Sequence, residues 1–101
     1  MASAADIHAL VRQARRWSTA ALQDREPLIA VLHANYGAAY AFALRQIASD
    51  AEIRAAAGVD GKTLEDAVVR VQDAATRRLV ERCSAARPAT PLGIVFERIE
   101  T

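Results

Sequence analysis

The sequence predicts an all-α protein, a small helical bundle of three long and two short helices. Three observations carry this. Apolar residues recur at helical spacing in four segments, the signature of one buried helix face. Capping residues stand at the borders of those segments: Ser3 with Asp6, Ser49 with Glu52, and Gly58 after a run of alanines. Residues 27–44 contain no Asp, Glu, Lys or Arg, over a length that no single strand reaches. That stretch reads as a central helix, apolar on nearly every side and expected to be buried.

Taken in order, a first helix starts near Ala4, behind the Ser3–Asp6 capping box. Ile7, Leu10, Val11, Ala14, Trp17, Ala21 and Leu22 make its apolar stripe. Arg12, Arg15 and Arg16 fall together on another face, and no acid lies between Asp6 and Asp24 to neutralise them. Asp24 suits the N-cap of the second helix, with Glu26 and Pro27 in its first turn. So short a join favours an antiparallel helical hairpin.

On the central helix, Ala30, Ala34, Gly37, Ala38, Ala41 and Ala48 share a small-residue side. Ile29, Leu32, Tyr36, Tyr40, Ala43 and Ile47 form a bulky stripe roughly opposite, and Leu28, Val31 and Phe42 fill much of the remainder. A membrane span is the rival reading at this length. The presence of His33, Asn35 and two tyrosines, and the weak hydrophobicity of so much alanine, favour a helix in a soluble core.

Ser49 and Glu52 open a third helix of about two turns, anchored by Ile53 and stopped by Gly58. Asp60 can cap the fourth, with Thr63 as a competing start; Leu64, Ala67, Val68, Val71, Ala75 and Leu79 supply its stripe. Asp66 with Arg70 and Asp73 with Arg77 are acid-first pairs suited to its solvated side. Arg87 to Pro91 breaks the pattern, after which Thr90 and Pro91 can start a short fifth helix carrying Leu92, Val95, Phe96 and Ile99. Residues 1–101 thus read as a single helical domain, with 88–101 as a C-terminal docking segment.

Composition narrows the function. Of 101 residues 52% are apolar, but 24 are alanine, which buries little area, so a lone chain has a thin core. Thirteen basic and twelve acidic residues leave a net charge of +1, which argues against nucleic acid and anionic lipid as partners. The one cysteine, Cys83, permits neither an intramolecular disulfide nor a cysteine metal cluster and reads as a small half-buried residue. The first residues lack a basic leader with an unbroken apolar core, so the expected compartment is the cytoplasm, with no membrane partner.

Chemistry-bearing motifs are sparse. His8 and His33 are preceded at three residues by Ala5 and Ala30, not by the glutamates of a di-iron bundle, and the four glycines are scattered singly. No catalytic residue, metal or cofactor is expected. Two clusters remain. His33, Tyr36 and Tyr40 project at neighbouring angles and suit a small ligand; Arg12, Arg15 and Arg16 suit an anion or an acidic partner. The leading expectation is a non-enzymatic protein acting through self-association or protein–protein interaction, with a homodimer favoured. A ligand-binding bundle and a nucleic-acid accessory protein are the alternatives.

Ile53 to Val68, IRAAAGVDGKTLEDAV, carries Ala57, Gly58, Val59, Thr63, Leu64 and Val68 at the small, turn and apolar positions of a helix-turn-helix. In this it resembles the DNA-binding segment of repressors of the lactose-repressor type, over about a sixth of the chain. The resemblance implies a similar turn. Arg54 stands where that family prefers a small packed residue, and Glu65 and Asp66 place carboxylates where phosphates would lie, which argues against DNA binding.

Overall fold

A computed structural model describes residues 2–83, and every residue in it outside short joins is helical. Four helices follow one another: α1 (Ala4–Gln23), α2 (Pro27–Ile47), α3 (Asp50–Ala57) and α4 (Gly61–Cys83). Three are long and one is short. The fifth helix expected from Pro91 onward, and the docking segment 88–101, lie outside the described residues.

Local signals set the boundaries. Ser3 Oγ accepts from the Asp6 N–H at 3.0 Å while the Asp6 carboxylate accepts from the Ser3 N–H at 3.4 Å, closing the box that starts α1. Ser49 and Glu52 do the same for α3 at 3.1 and 2.9 Å. Gly58 ends α3 in the left-handed region, φ 72°, where a side chain is strained. Asp60 accepts from the Thr63 N–H at 3.4 Å at the start of α4. The α1–α2 join departs from expectation. Pro27 is the first residue of α2, so Glu26 is its cap and Asp24 instead closes the end of α1.

Helices α1 and α2 form the hairpin, and α4 lies along its open side, touching α2 more than α1. The larger core gathers Ile7, Val11 and Ala14 with Ala38, Ala41, Leu44, Ile53, Leu64 and Val68. Around the hairpin loop the second core is only Ala21, Ala30, Ala34 and Ala75, flanked by Val31 and Val71. There Arg78 clamps the structure, donating from Nη2 to the carbonyls of Asp24 and Arg25 at 3.0 and 3.4 Å.

The central helix is not buried all round. Its small face turns inward, with Ala30, Ala34, Ala38 and Ala41 at most 1% exposed, while the bulky stripe faces out. At Gly37 the backbones of α1 and α2 come so close that an added Cβ would lie 3.0 Å from both Ala14 O and Ser18 N. Close approach of two backbones decides the orientation, because bulky side chains at this crossing would hold the helices apart. By length and composition α2 is also apolar enough to cross a bilayer, and 39% of its most apolar eighteen residues is buried within the protein. Leu22, placed on the α1 stripe by spacing, is exposed, and Ser18 is buried in the seam instead. Cys83, expected half-buried, is exposed.

Candidate functional site

The α1–α2 crossing assembles an aromatic cluster. Trp17 enters from α1 and His33, Tyr36 and Tyr40 from α2, three residues whose i+3, i+4 and i+7 spacing holds them on one flank of the helix. The Trp17 ring centroid lies 5.1 Å from that of His33, tilted by 42°, and 5.3 Å from that of Tyr36, edge to face at 86°. His33 and Tyr36 are 6.1 Å apart. These separations fall in the range favoured by ring quadrupoles.

Asp24 orients the histidine. At the end of α1 its Oδ2 accepts from His33 Nδ1 at 2.7 Å, both side chains being 22% exposed. With a carboxylate as acceptor, Nδ1 carries the proton. Beside the rings, Trp17, Tyr36, Ala39, Tyr40 and Ala43 line an open groove of about 450 Å³. A second apolar hollow of about 630 Å³ lies toward the far end of α2, lined by Ala2, Asp6, Ala9, Leu10 and Ile47.

Of the three residues singled out in the sequence, the His33 and Tyr36 rings meet each other and Trp17, while Tyr40 reaches the group as a wall of the groove it shares with Trp17 and Tyr36; Asp24 joins at His33. Trp17 was legible as the edge of the α1 stripe but not as a cluster member. Asp24 was assigned to the wrong helix. The arginine patch divides: the Arg16 guanidinium sits 5.1 Å over the Trp17 ring, while Arg12 and Arg15 project into solvent without an ion-pair partner among the described residues. Among the described residues no group of three or more His, Cys, Asp and Glu could hold a metal ion.

The helix-turn-helix segment has the turn its residues imply, at Gly58, and its charges are taken up in ion pairs with neighbouring side chains. Glu65 Oε2 lies 3.4 Å from Arg45 Nε, Asp66 pairs with Lys62 at 2.7 Å, and Arg54 with Asp60 at 2.8 Å. The Lys62 ammonium holds Asp66 below the usual carboxylate range, and Asp66 raises Lys62 in return, both by hydrogen bonding first. Arg45 also binds Asp50 at 2.7 Å, joining α2, α3 and α4 at one corner.

The outward face of α2 carries a row of exposed apolar side chains. Leu28 is 60% exposed, Ile29 41%, Leu32 43%, Tyr36 42% and Ile47 48%. Between Glu26 and Arg45 no charge interrupts them. Compared with protein-family models, curated proteins and solved structures, the chain matches none.

Proposed function

We propose that this protein is a non-enzymatic interaction module that works by self-association, with the outward face of α2 as its contact. The observation that carries this reading is the row of half-exposed leucine, isoleucine and tyrosine on an uncharged helix face. Leaving it in water is costly, and covering it is favourable at roughly 25 cal/mol per Å². A thin core points the same way: four alanines hold the loop end of the hairpin, so a second subunit would supply burial that the chain lacks.

Light scattering coupled to size exclusion tests it. The expected mass is twice the 10.9 kDa of the chain, falling toward that value only on dilution. A mass that stays at 10.9 kDa throughout the micromolar range refutes it.

The groove beside Trp17 supports a second reading, a site for a flat apolar ligand stacked on Tyr36 and Tyr40. Trp17 is the chain's one tryptophan, so its fluorescence reports such a ligand directly. Native mass spectrometry that finds only bare protein removes this second reading. Nucleic acid is the weakest of the three, since a patch reduced to Arg12 and Arg15 and a net charge of +1 make a small electrostatic footprint.

A further inference from the structure

Resting on the reading that the chain self-associates, we infer that two copies pack α2 against α2 antiparallel about a two-fold axis. In this register residue positions facing one another sum to 75. The exposed stripe runs from Leu28 to Ile47. An antiparallel pair overlaps that whole stripe only when Leu28 of one copy lies level with Ile47 of the other. The rest of the register then follows from one residue number: Leu32 faces Ala43, and Tyr36 faces Ala39, each twice by symmetry. Leu32 and Tyr36 thus each meet an alanine, while Tyr40 meets Asn35 and Ile29 meets Gln46. Large against small is the complementarity close helix packing needs.

The hollows fall where this register requires them. The groove of about 450 Å³ contains Ala39 and Ala43, the positions opposite the second copy's Tyr36 and Leu32. The hollow of about 630 Å³ contains Ile47, opposite the second copy's Leu28. Both are walled on one side by α1, so the incoming helix would lie in the trough between α1 and α2. Antiparallel packing also opposes the helix dipoles favourably.

Area and charge favour a second copy over other occupants. The five exposed residues leave roughly 400–500 Å² of surface open, within the range of the largest apolar patch on a typical monomer, which is often functional. Two such patches, with the walls of the hollows, approach the total of about 1,000 Å² that a specific interface should clear. The absence of charge from Pro27 to Leu44 favours an identical uncharged face over an acidic or basic partner, with Asp6 standing at the α1 wall of the larger hollow.

The test is a charge-pair rescue in the full chain, read by light scattering across a dilution series, with far-ultraviolet circular dichroism to confirm helicity. Leu32→Glu should raise the dissociation constant about tenfold or more, since each dimer carries the change twice and the site is central. Adding Ala43→Lys should restore the dimer, because each Glu then faces a Lys on the other copy. Leu32→Glu with Ala43→Glu should not. Positions 32 and 43 lie eleven residues apart, too far for a pair within one helix, and a parallel dimer would set like charge on like. If the wild-type chain stays at 10.9 kDa, self-association itself fails and the register with it. If the wild type is a dimer but Leu32→Glu leaves it intact, or the Glu/Lys chain is no better than the Glu/Glu chain, the register is wrong while self-association stands. Co-flotation of the wild-type chain with phosphatidylglycerol vesicles, at the expense of the dimer, would assign the face to a membrane and overturn the inference.

Discussion

Gly37→Ala probes the close approach of α1 and α2. In an isolated helix the change is favourable, since glycine costs roughly 0.5–1 kcal/mol relative to alanine in a helix interior. Here the new methyl would collide with Ser18 Oγ and sit 3.0 Å from two backbone atoms, Ala14 O and Ser18 N. The hydroxyl can rotate away, but the backbone cannot, so α1 and α2 must separate. Overpacking of this kind costs about 1–3 kcal/mol. Backbone repulsion outweighs helix propensity, and the net expectation is a loss of roughly 1–2 kcal/mol. For a chain of this size each 1 kcal/mol shifts the melting temperature by about 4–8 °C.

The assay is thermal and urea unfolding followed by circular dichroism, at fixed protein concentration because association couples to stability. Ser18→Ala supplies the control. Ser18 Oγ is buried and has no hydrogen-bond partner among the described residues, so its removal alone should be neutral or stabilising. Combined with Gly37→Ala it should leave most of the loss in place, because the clash with the Ala14 and Ser18 backbone remains. A Gly37→Ala chain that melts at or above the wild type refutes the steric account of why α2 turns its small face inward.

Three further outcomes follow from the structure. Ile53, 0% exposed, is the main anchor of α3, so Ile53→Ala should cost about 2–5 kcal/mol by urea titration; a loss below about 1 kcal/mol would show that α3 is not docked as described. Glu52 is held below the usual glutamate range by the Ser49 backbone N–H first and its hydroxyl second. Its contribution is therefore complete above the ordinary value of about 4.3 and is lost as pH falls through the lower folded value. Carbon-13 NMR titration of Glu52 should move only part of the way back toward the ordinary value in Ser49→Ala, which removes the hydroxyl and keeps the backbone N–H; a wild-type midpoint at or above the ordinary value would contradict the capping assignment. Arg78→Ala should speed amide exchange around the α1–α2 loop, where the guanidinium otherwise ties down two carbonyls; unaltered exchange there would mean that the clamp is immaterial.

Much of the fold was legible because its borders are written in local chemistry. The boxes at Ser3–Asp6 and Ser49–Glu52 and the stop at Gly58 each act within one turn of chain, so a linear reading finds them. Asp24 was misread because two acids precede Pro27 and only one can be the cap; proline as the first helical residue selects Glu26 and frees Asp24 for His33. The clustering of His33, Tyr36 and Tyr40 followed from spacing on one helix. Trp17 joined them through a contact between helices, which no spacing rule encodes. Asp66 was expected to take Arg70, yet Lys62 one turn earlier supplies the hydrogen bond.

Periodicity read α2 as buried on nearly every side, and the choice of which side faces inward is the departure with the largest consequence. A helix without charge over eighteen residues has no polar side to exclude from the core, so hydrophobic patterning alone does not orient it. Backbone proximity does. With glycine and alanine inward, α1 reaches contact distance at Gly37, and the hairpin gains dense packing at the expense of buried area. The larger side chains are left outside, including Leu28, Ile29 and Leu32 near the alanine-only core. Weak burial within the chain and surplus apolar surface outside it thus share one cause. Covering that surface with a second copy would add burial next to the end of the hairpin that is thinnest, so stability and assembly should rise and fall together. A melting temperature that climbs with protein concentration is the direct mark of that coupling, and one independent of concentration would separate the two.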